Sequence, residues 1–419
     1  MEEKIQFRRN FIWNTLGTGL NAFNSLFFMI IATRINGVDK AGIFTIAFST
    51  ACILYAVGLY AGRVFHVTEL NKSISDKDFI VNRLLTTLIM IVCLIVFCIV
   101  RKYNFEKSII FLLLTIYKAL EAFSDVIYGV LQKKENLDIV GKSLFYKSIV
   151  SVLLFLVVDW ITKDLILSLI CMIVFCVLII IFYDFKKANK YINYKIKLNI
   201  NNVFIILKTG FFTFAISFLG MYILNAPKYA IDIYLSDDFQ TVFGIIVMPA
   251  TIVGLVAQFL IHPYLTQILE LYESSKIKEL KKLLLKLISV VVSFGIFASV
   301  LGYLIGTQVL GIIYGLDLSE YKIKLMIIIL SATCYTIVAI YSSVLTTVRQ
   351  TLSQFIIYVT IAVITCILSN ILTKHWKIDG AVIAYLFTML FCAIIYTIYT
   401  NLKLNSILKR KKNEEKNYE

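Results

Sequence analysis

Runs of about twenty mostly apolar residues recur along this chain, and a helix of that length crosses the hydrocarbon of a bilayer at about 1.5 Å rise per residue. Twelve such runs are legible, at 11–35, 41–62, 84–100, 109–131, 144–158, 165–183, 203–224, 241–263, 287–308, 323–348, 352–372 and 380–400. Lipid offers backbone amides no hydrogen-bond partner, so runs of this kind cross as helices whose amides bond within the segment. The fold class expected is an all-α polytopic membrane protein with about 12 transmembrane helices. Composition agrees: 59% of the residues are hydrophobic and 16% charged, where soluble domains carry about 25% charged. The run at 11–35 is too long for a signal-peptide core and no small-residue cleavage site follows it, so it reads as a span.

The net charge of +15 is spread between the apolar runs and makes no single patch, which excludes nucleic acid as a partner. Of the 41 Lys and Arg, about three in four fall on one side if the chain is threaded from an N-terminus inside. By the positive-inside rule both termini are then cytoplasmic. The eight cysteines all fall within apolar runs and read as small buried hydrophobes, with neither a disulfide framework nor a metal site. His66, His262 and His375 show no ligand spacing, and neither metal nor cofactor is expected.

The longest basic connector follows the sixth run and divides the chain in two. The organisation expected is an N-terminal six-helix bundle at 1–184, a basic cytoplasmic connector at 185–202, a C-terminal six-helix bundle at 203–400 and a basic tail at 401–419. Equal span numbers point to parallel repeats related by a pseudo-twofold axis along the membrane normal. Laying one half on the other brings Asn14-Thr15 onto Lys208-Thr209 and Arg34 onto Lys228.

Several spans are polar where lipid forbids it. Asn14, Thr18, Asn21 and Ser25 share one face of the first span, and Thr209, Thr213, Ser217 and Gly220 repeat the pattern in the seventh. Such stripes turn inward, either to pack helices or to line a wet cavity between the halves. The fourth span carries Lys118, Glu121 and Asp125 on one face. Lys118 can pair with Glu121, whereas Asp125 needs a proton or a cation from another helix. The three read as a structural ion-pair network or as an ion-coupling site for H⁺ or Na⁺. Pro249 marks a kink or hinge in the eighth span, residues 225–240 form the longest outer loop, and 267–287 reads as an amphipathic helix on the anionic leaflet.

The chemistry of an enzyme is missing. No His-Glu-x-x-His, Gly-rich phosphate loop or Gly-x-Ser-x-Gly occurs, so neither hydrolysis nor ATP-driven transport is expected.

Two stretches carry a family resemblance. One is Tyr60-Ala61-Gly62-Arg63-Val64-Phe65-His66-Val67-Thr68-Glu69. The other is Tyr117-Lys118-Ala119-Leu120-Glu121-Ala122-Phe123-Ser124-Asp125, continuing through Gly129-Val130-Leu131-Gln132-Lys133-Lys134 to Asp138-Ile139-Val140-Gly141-Lys142-Ser143. Both resemble bacterial polysaccharide flippases of the Wzx type, in the multidrug/oligosaccharidyl-lipid/polysaccharide (MOP) exporter superfamily. Ile312-Ile313-Tyr314-Gly315 is a third match, and teichoic-acid precursor flippases of Gram-positive bacteria look similar. The chain departs from the family at His66 and Glu69, where Gln and Asp are expected. The resemblance implies a MATE-like fold of two six-helix bundles forming a V, and a substrate of undecaprenyl-diphosphate-linked oligosaccharide moved from inner to outer leaflet by alternating access. A diphosphate needs cations in a wet cavity. The substrate-binding candidates are Arg34, Arg63, Lys208 and Lys228, with Asn14 and Asn21 of the polar stripe and Lys118 of the intramembrane network. A multidrug/cation antiporter of the same superfamily would need an acidic cavity instead, and a membrane glycan transferase or polymerase an acidic cluster at a membrane-facing loop.

Overall fold

The computed structural model describes residues 2–60, 62–68, 74–192 and 198–418, and among them every regular element is a helix. Ala61, Glu69 and Lys72, and residues 193–197 of the connector, lie outside the described residues. In chain order the helices are α1 (Glu2–Asn36), α2 (Val38–Leu59), a short α3 (Gly62–Thr68), α4 (Asp76–Arg101), α5 (Phe105–Gln132), α6 (Leu137–Thr162) and α7 (Leu165–Tyr191). Then come α8 (Ile200–Tyr234), α9 (Asp237–Ile261), a short α10 (Leu265–Glu273), α11 (Ile277–Tyr314), α12 (Lys322–Thr347) and α13 (Thr351–Tyr418).

Ten of these are long and apolar enough to cross a membrane. The 28-residue α5 falls outside that set because Lys118, Glu121 and Asp125 interrupt its apolar run. Non-helical backbone at Trp376 and Lys377 breaks α13 into two arms, each long enough to span. With these, all twelve spans read from the sequence are accounted for, and the protein is a multi-pass membrane protein.

The chain divides into two compact units, Met1–Met221 and Tyr222–Glu419, with the division inside α8. In the first unit α1 lies along α6, α2 packs on α4 and α5, and α7 covers α5 and α6. Lipid supplies no hydrophobic drive between helices, so close van der Waals packing must hold them. Glycines make the closest approach possible: a Cβ on Gly141 would overlap the backbone of Trp13 and Asn14, and one on Gly17 the carbonyl of Gly141. Aromatic side chains fill the middle, where Phe28 and Phe155 stand edge to face at 5.2 Å and Phe44 meets Phe155 at 6.0 Å. Ser75 and Asp78 form a capping box at the start of α4, satisfying amides that the helix leaves open. The same Asp78 accepts hydrogen bonds from Asn199 N at 3.1 Å and Asn202 Nδ2 at 2.8 Å, which ties the start of α8 to α4. In the second unit α12 packs on α9, α11 and α13. There the Ile312-Ile313-Tyr314-Gly315 motif ends α11, with Gly315 in the left-handed region at φ 74° as helix C-caps favour.

Several expectations are corrected. The fifth span is a full 26-residue helix, because polar residues on its inner face hid its first turns. Residues 225–240 are mostly helical: α8 continues to Tyr234 with Pro227 inside it, and Asp237 and Asp238 open α9 in the acidic first turn that a helix dipole favours. The amphipathic stretch at 267–287 is two helices, since Ser275 adopts φ 56° between α10 and α11. Its pattern survives in α11, which buries Ile277, Leu280, Leu284 and Leu287. Cys93 and Cys366 are exposed, not buried.

Because Gly141 abuts the backbone of α1, Gly141→Ala is expected to lower stability by about 1–3 kcal/mol through overpacking. Gly19→Ala, on the same α1 where nothing approaches a Cβ, should leave it unchanged or slightly raised. Thermal denaturation of the two variants in detergent checks this.

Candidate functional site

A pocket of about 150 Å³ opens inside the first unit, lined by polar side chains from α1, α2, α3, α5 and α6. Thr18 and Asn21 come from α1, Tyr55 from α2, Arg63 from α3, Glu121, Ser124, Asp125 and Tyr128 from α5, and Lys147 from α6. Helical spacing places Glu121, Ser124, Asp125 and Tyr128 on one face of α5. Asn21 also accepts a hydrogen bond from Ser148 Oγ at 3.5 Å.

Charge in the pocket and immediately around it is organised in three groups. Lys118 Nζ donates to Glu121 Oε2 at 2.6 Å, one turn along α5. The ammonium also lies 5.0 Å from the Phe48 ring, 5.4 Å from Tyr117 and 5.6 Å from Tyr55, an aromatic cage that suits a cation away from water.

Asp125 meets two arginines from other helices. Arg63 Nε lies 3.5 Å from Oδ1, and Arg83 of α4 donates from Nη2 to Oδ2 at 3.3 Å. Arg83 is deeply buried and also donates from Nη1 to the Gly58 carbonyl at 3.1 Å. Asp125 is therefore the centre of a bridge between α3, α4 and α5. Arg63 differs from Arg83 in one respect: its Nη1 is buried and has no hydrogen-bond partner.

The third group was not foreseen. Lys147 forms an ion pair with Asp184 and donates to Ser124 Oγ at 2.7 Å and Tyr128 Oη at 3.1 Å. Ser143 Oγ donates to the other Asp184 oxygen at 2.5 Å, and Asp184 is wholly buried. Lys147 falls in the first turn of the fifth apolar run and counts with the inside cations, and Asp184 reads as the last residue before the connector. A signal was present, since Ser143, Lys147 and Ser151 recur at steps of four along α6 and are all buried. Asp184 reaches the pair from a π-helical turn, Ile180–Phe185, in the middle of α7. Such turns insert an extra residue into a helix and often mark functional positions.

The remaining candidates sit elsewhere. Asn14 lies at the α1–α6 crossing. Arg34 is exposed in the last turn of α1, and Lys208 is exposed near the start of α8. Lys228 is half-buried and belongs to the second unit. Thr209, Thr213 and Ser217 form an exposed polar stripe on α8.

No family model matches the chain. A curated relative from Staphylococcus aureus, the capsular polysaccharide biosynthesis protein CapF, is 23% identical over 324 residues, covering 76% of this chain and 80% of its own. Among solved structures, the inward-facing conformation of a multidrug resistance MATE family transporter of the MOP superfamily superposes with a TM-score of 0.74 at 12% identity, over 94% of this chain and 96% of its own. A Vibrio cholerae MATE transporter matches at 0.61 and 13%, over 96% of this chain and 97% of its own. The fold is therefore that of MOP-superfamily transporters, as the sequence motifs implied.

The Lys147–Asp184 pair has a measurable consequence. Removing one partner strands a buried charge, so Lys147→Met is expected to destabilise the protein by about 3–5 kcal/mol. Lys147→Met with Asp184→Leu should recover most of that loss. A double-mutant cycle by thermal or denaturant unfolding in detergent reads the coupling.

Proposed function

We propose that the protein is a flippase for lipid-linked oligosaccharide, carrying an undecaprenyl-diphosphate-anchored precursor of capsule, O-antigen-like glycan or teichoic acid from the cytoplasmic to the outer leaflet. The observation that carries this reading is the buried Arg63 Nη1, a guanidinium nitrogen without a partner at the edge of a charged pocket in a lipid-embedded bundle. A guanidinium recognises phosphate by paired charge-assisted hydrogen bonds, and its planar fork suits an oxyanion better than an ammonium does. The pocket's volume of about 150 Å³ suits a phosphate group and not a saccharide chain, so on this reading the glycan lies outside it. The likeness to a capsular polysaccharide biosynthesis protein supports the same substrate class. A cationic drug is less well served, because Glu121 and Asp125 are already matched by Lys118, Arg63 and Arg83. Arg34, Lys208, Lys228, Asn14 and Asn21 remain proposed contacts along the substrate's path, with both termini on the cytoplasmic side.

With no phosphate-binding loop in the sequence, net transport on this reading draws on an H⁺ or Na⁺ gradient or on removal of product outside. A coupling group must change partners between access states. Asp125 fits that requirement: a phosphate that takes Arg63 leaves Asp125 with Arg83 alone. Lys118 and Glu121 form the neighbouring part of the same network.

Purified protein in vesicles carrying a fluorescent lipid-linked saccharide tests this by leaflet transfer. Arg63→Gln is expected to slow transfer about tenfold to a hundredfold, the worth of a charge-assisted hydrogen bond of about 1.5–3 kcal/mol. Asp125→Asn should abolish the response to one imposed gradient, pH or Na⁺. Transfer by Arg63→Gln at the wild-type rate would remove the phosphate assignment. An unaltered response of Asp125→Asn to both gradients would make that residue purely structural.

A further inference from the structure

The described part of the helix that carries Arg63 spans seven residues, Gly62–Thr68. Seven helical residues do not hold themselves in water, where an isolated helix needs about 12–15. Its N-terminal side is a sharp turn, with Tyr60 at φ 49° and Gly62 at φ 70°. Tertiary contacts must therefore place α3, and two neighbouring side chains, Phe65 and His66, supply part of them. Phe65 meets Phe79 of α4 edge to face at 5.9 Å. His66 is 1% exposed and stacks on the same Phe79 ring at 4.2 Å. Its Nε2 hydrogen-bonds Asp76 Oδ1 at 2.9 Å, and Lys133, just past the end of α5, donates to that same oxygen at 2.9 Å. The other edge of the ring lies directly over Gly129 of α5, where any Cβ would overlap Nδ1.

We propose that His66 is a positioning residue for Arg63: it pins α3 against α4 and α5 and so sets the Arg63 guanidinium beside Asp125. One contact binds α3 to the start of α4 through Asp76, and the other seats it on α5 in the space that Gly129 leaves open. Asp125 lies one helical turn from Gly129 on α5, so the seat and the ion pair share a helix. The significance for transport rests on the flippase reading, whereas the placement of α3 does not.

The chemistry of the ring gives the proposal a pH signature. With a carboxylate as partner, neutral His66 donates from Nε2 and leaves Nδ1 bare. Nδ1 is buried and has no acceptor beside it, so a second proton there has nowhere to bond. Burial pushes the imidazole below its ordinary value, and Lys133 and Arg83 add to that, against the hydrogen bond and charge of Asp76. These are the charged groups of α4 and α5 that face it. Above about pH 6.5 the imidazole is neutral whether docked or not, and the anchor is at full strength. As pH falls below that value the undocked ring takes a proton that the docked ring refuses, and the anchor weakens.

Hydrogen exchange of the full-length protein in nanodiscs, corrected for intrinsic rates, reads α3 directly. In His66→Ala the amides of residues 62–68 should exchange about tenfold faster or more, with those of α5 unchanged, as expected for loss of a local anchor. His66→Gln, which keeps a donor for Asp76 and does not titrate, should restore most of the protection. Between pH 7.5 and pH 5.5 the wild type should lose protection in α3 and His66→Gln should not. Equal protection of α3 in wild type and His66→Ala, or the same pH response in wild type and His66→Gln, overturns the proposal. Should His66→Ala fail to fold, the comparison of wild type with His66→Gln decides alone. If α3 behaves as expected while Arg63→Gln transfers lipid normally, the positioning role stands and the phosphate assignment to Arg63 falls; if the wild type transfers no lipid-linked saccharide, the flippase reading falls and the positioning role still stands.

Discussion

A charge taken into hydrocarbon alone is so costly that it must meet an opposite charge, and the first unit is arranged around that requirement. Lys118 with Glu121, Arg63 and Arg83 with Asp125, and Lys147 with Asp184 bring carboxylates and cations together within one bundle. Each group draws on the one beside it in space. The aromatic rings around Lys118 include Tyr55 and Tyr117, which line the pocket, and within it Lys147 donates to Tyr128. The cations Arg63, Arg83, Lys118 and Lys147 outnumber the carboxylates Glu121, Asp125 and Asp184 by one. That surplus and the unpartnered Arg63 Nη1 leave the cluster able to accept an anion without stranding a carboxylate.

Packing makes this arrangement possible. The close glycine crossing of α1 on α6 brings Asn21 and Lys147 to the same pocket, and the π-helical turn in α7 carries Asp184 to Lys147. The short α3 is the least self-supporting part, yet it carries the residue with the free donor. A device that must exchange partners is expected among elements of low local stability. α4, α5 and α6 are long, well-packed helices that hold the other charges in place.

The helical plan was legible because lipid enforces it. Apolar runs of span length are hard to mistake, and all twelve were found. The face of α5 was legible as well, since Lys118, Glu121 and Asp125 recur at helical spacing. The partners of Asp125 were not, because Arg63 and Arg83 lie 62 and 42 residues away in the numbering of the chain and sit at apparent span ends. Cations at span ends serve orientation in most membrane proteins, so nothing local marked these two as ligands of a buried acid. Lys147 was passed over for the same reason, and Asp184 because it falls just beyond the sixth apolar run. Their stripe of Ser143, Lys147 and Ser151 could have been read with the periodicity used on α1. The helix α3 escaped because seven residues after a span give no periodic signal, and its placement depends on contacts with α4 and α5.

On the flippase reading, Arg63 exchanges its weak contact with Asp125 for a phosphate of the lipid carrier. A cryo-electron microscopy structure of the protein in nanodiscs with bound undecaprenyl-diphosphate saccharide tests it most directly. A phosphate oxygen is expected within hydrogen-bond distance of Arg63 Nη1, with Asp125 retained by Arg83. A structure in which the lipid is bound, its diphosphate lies away from the pocket and Arg63 still rests on Asp125 would contradict it.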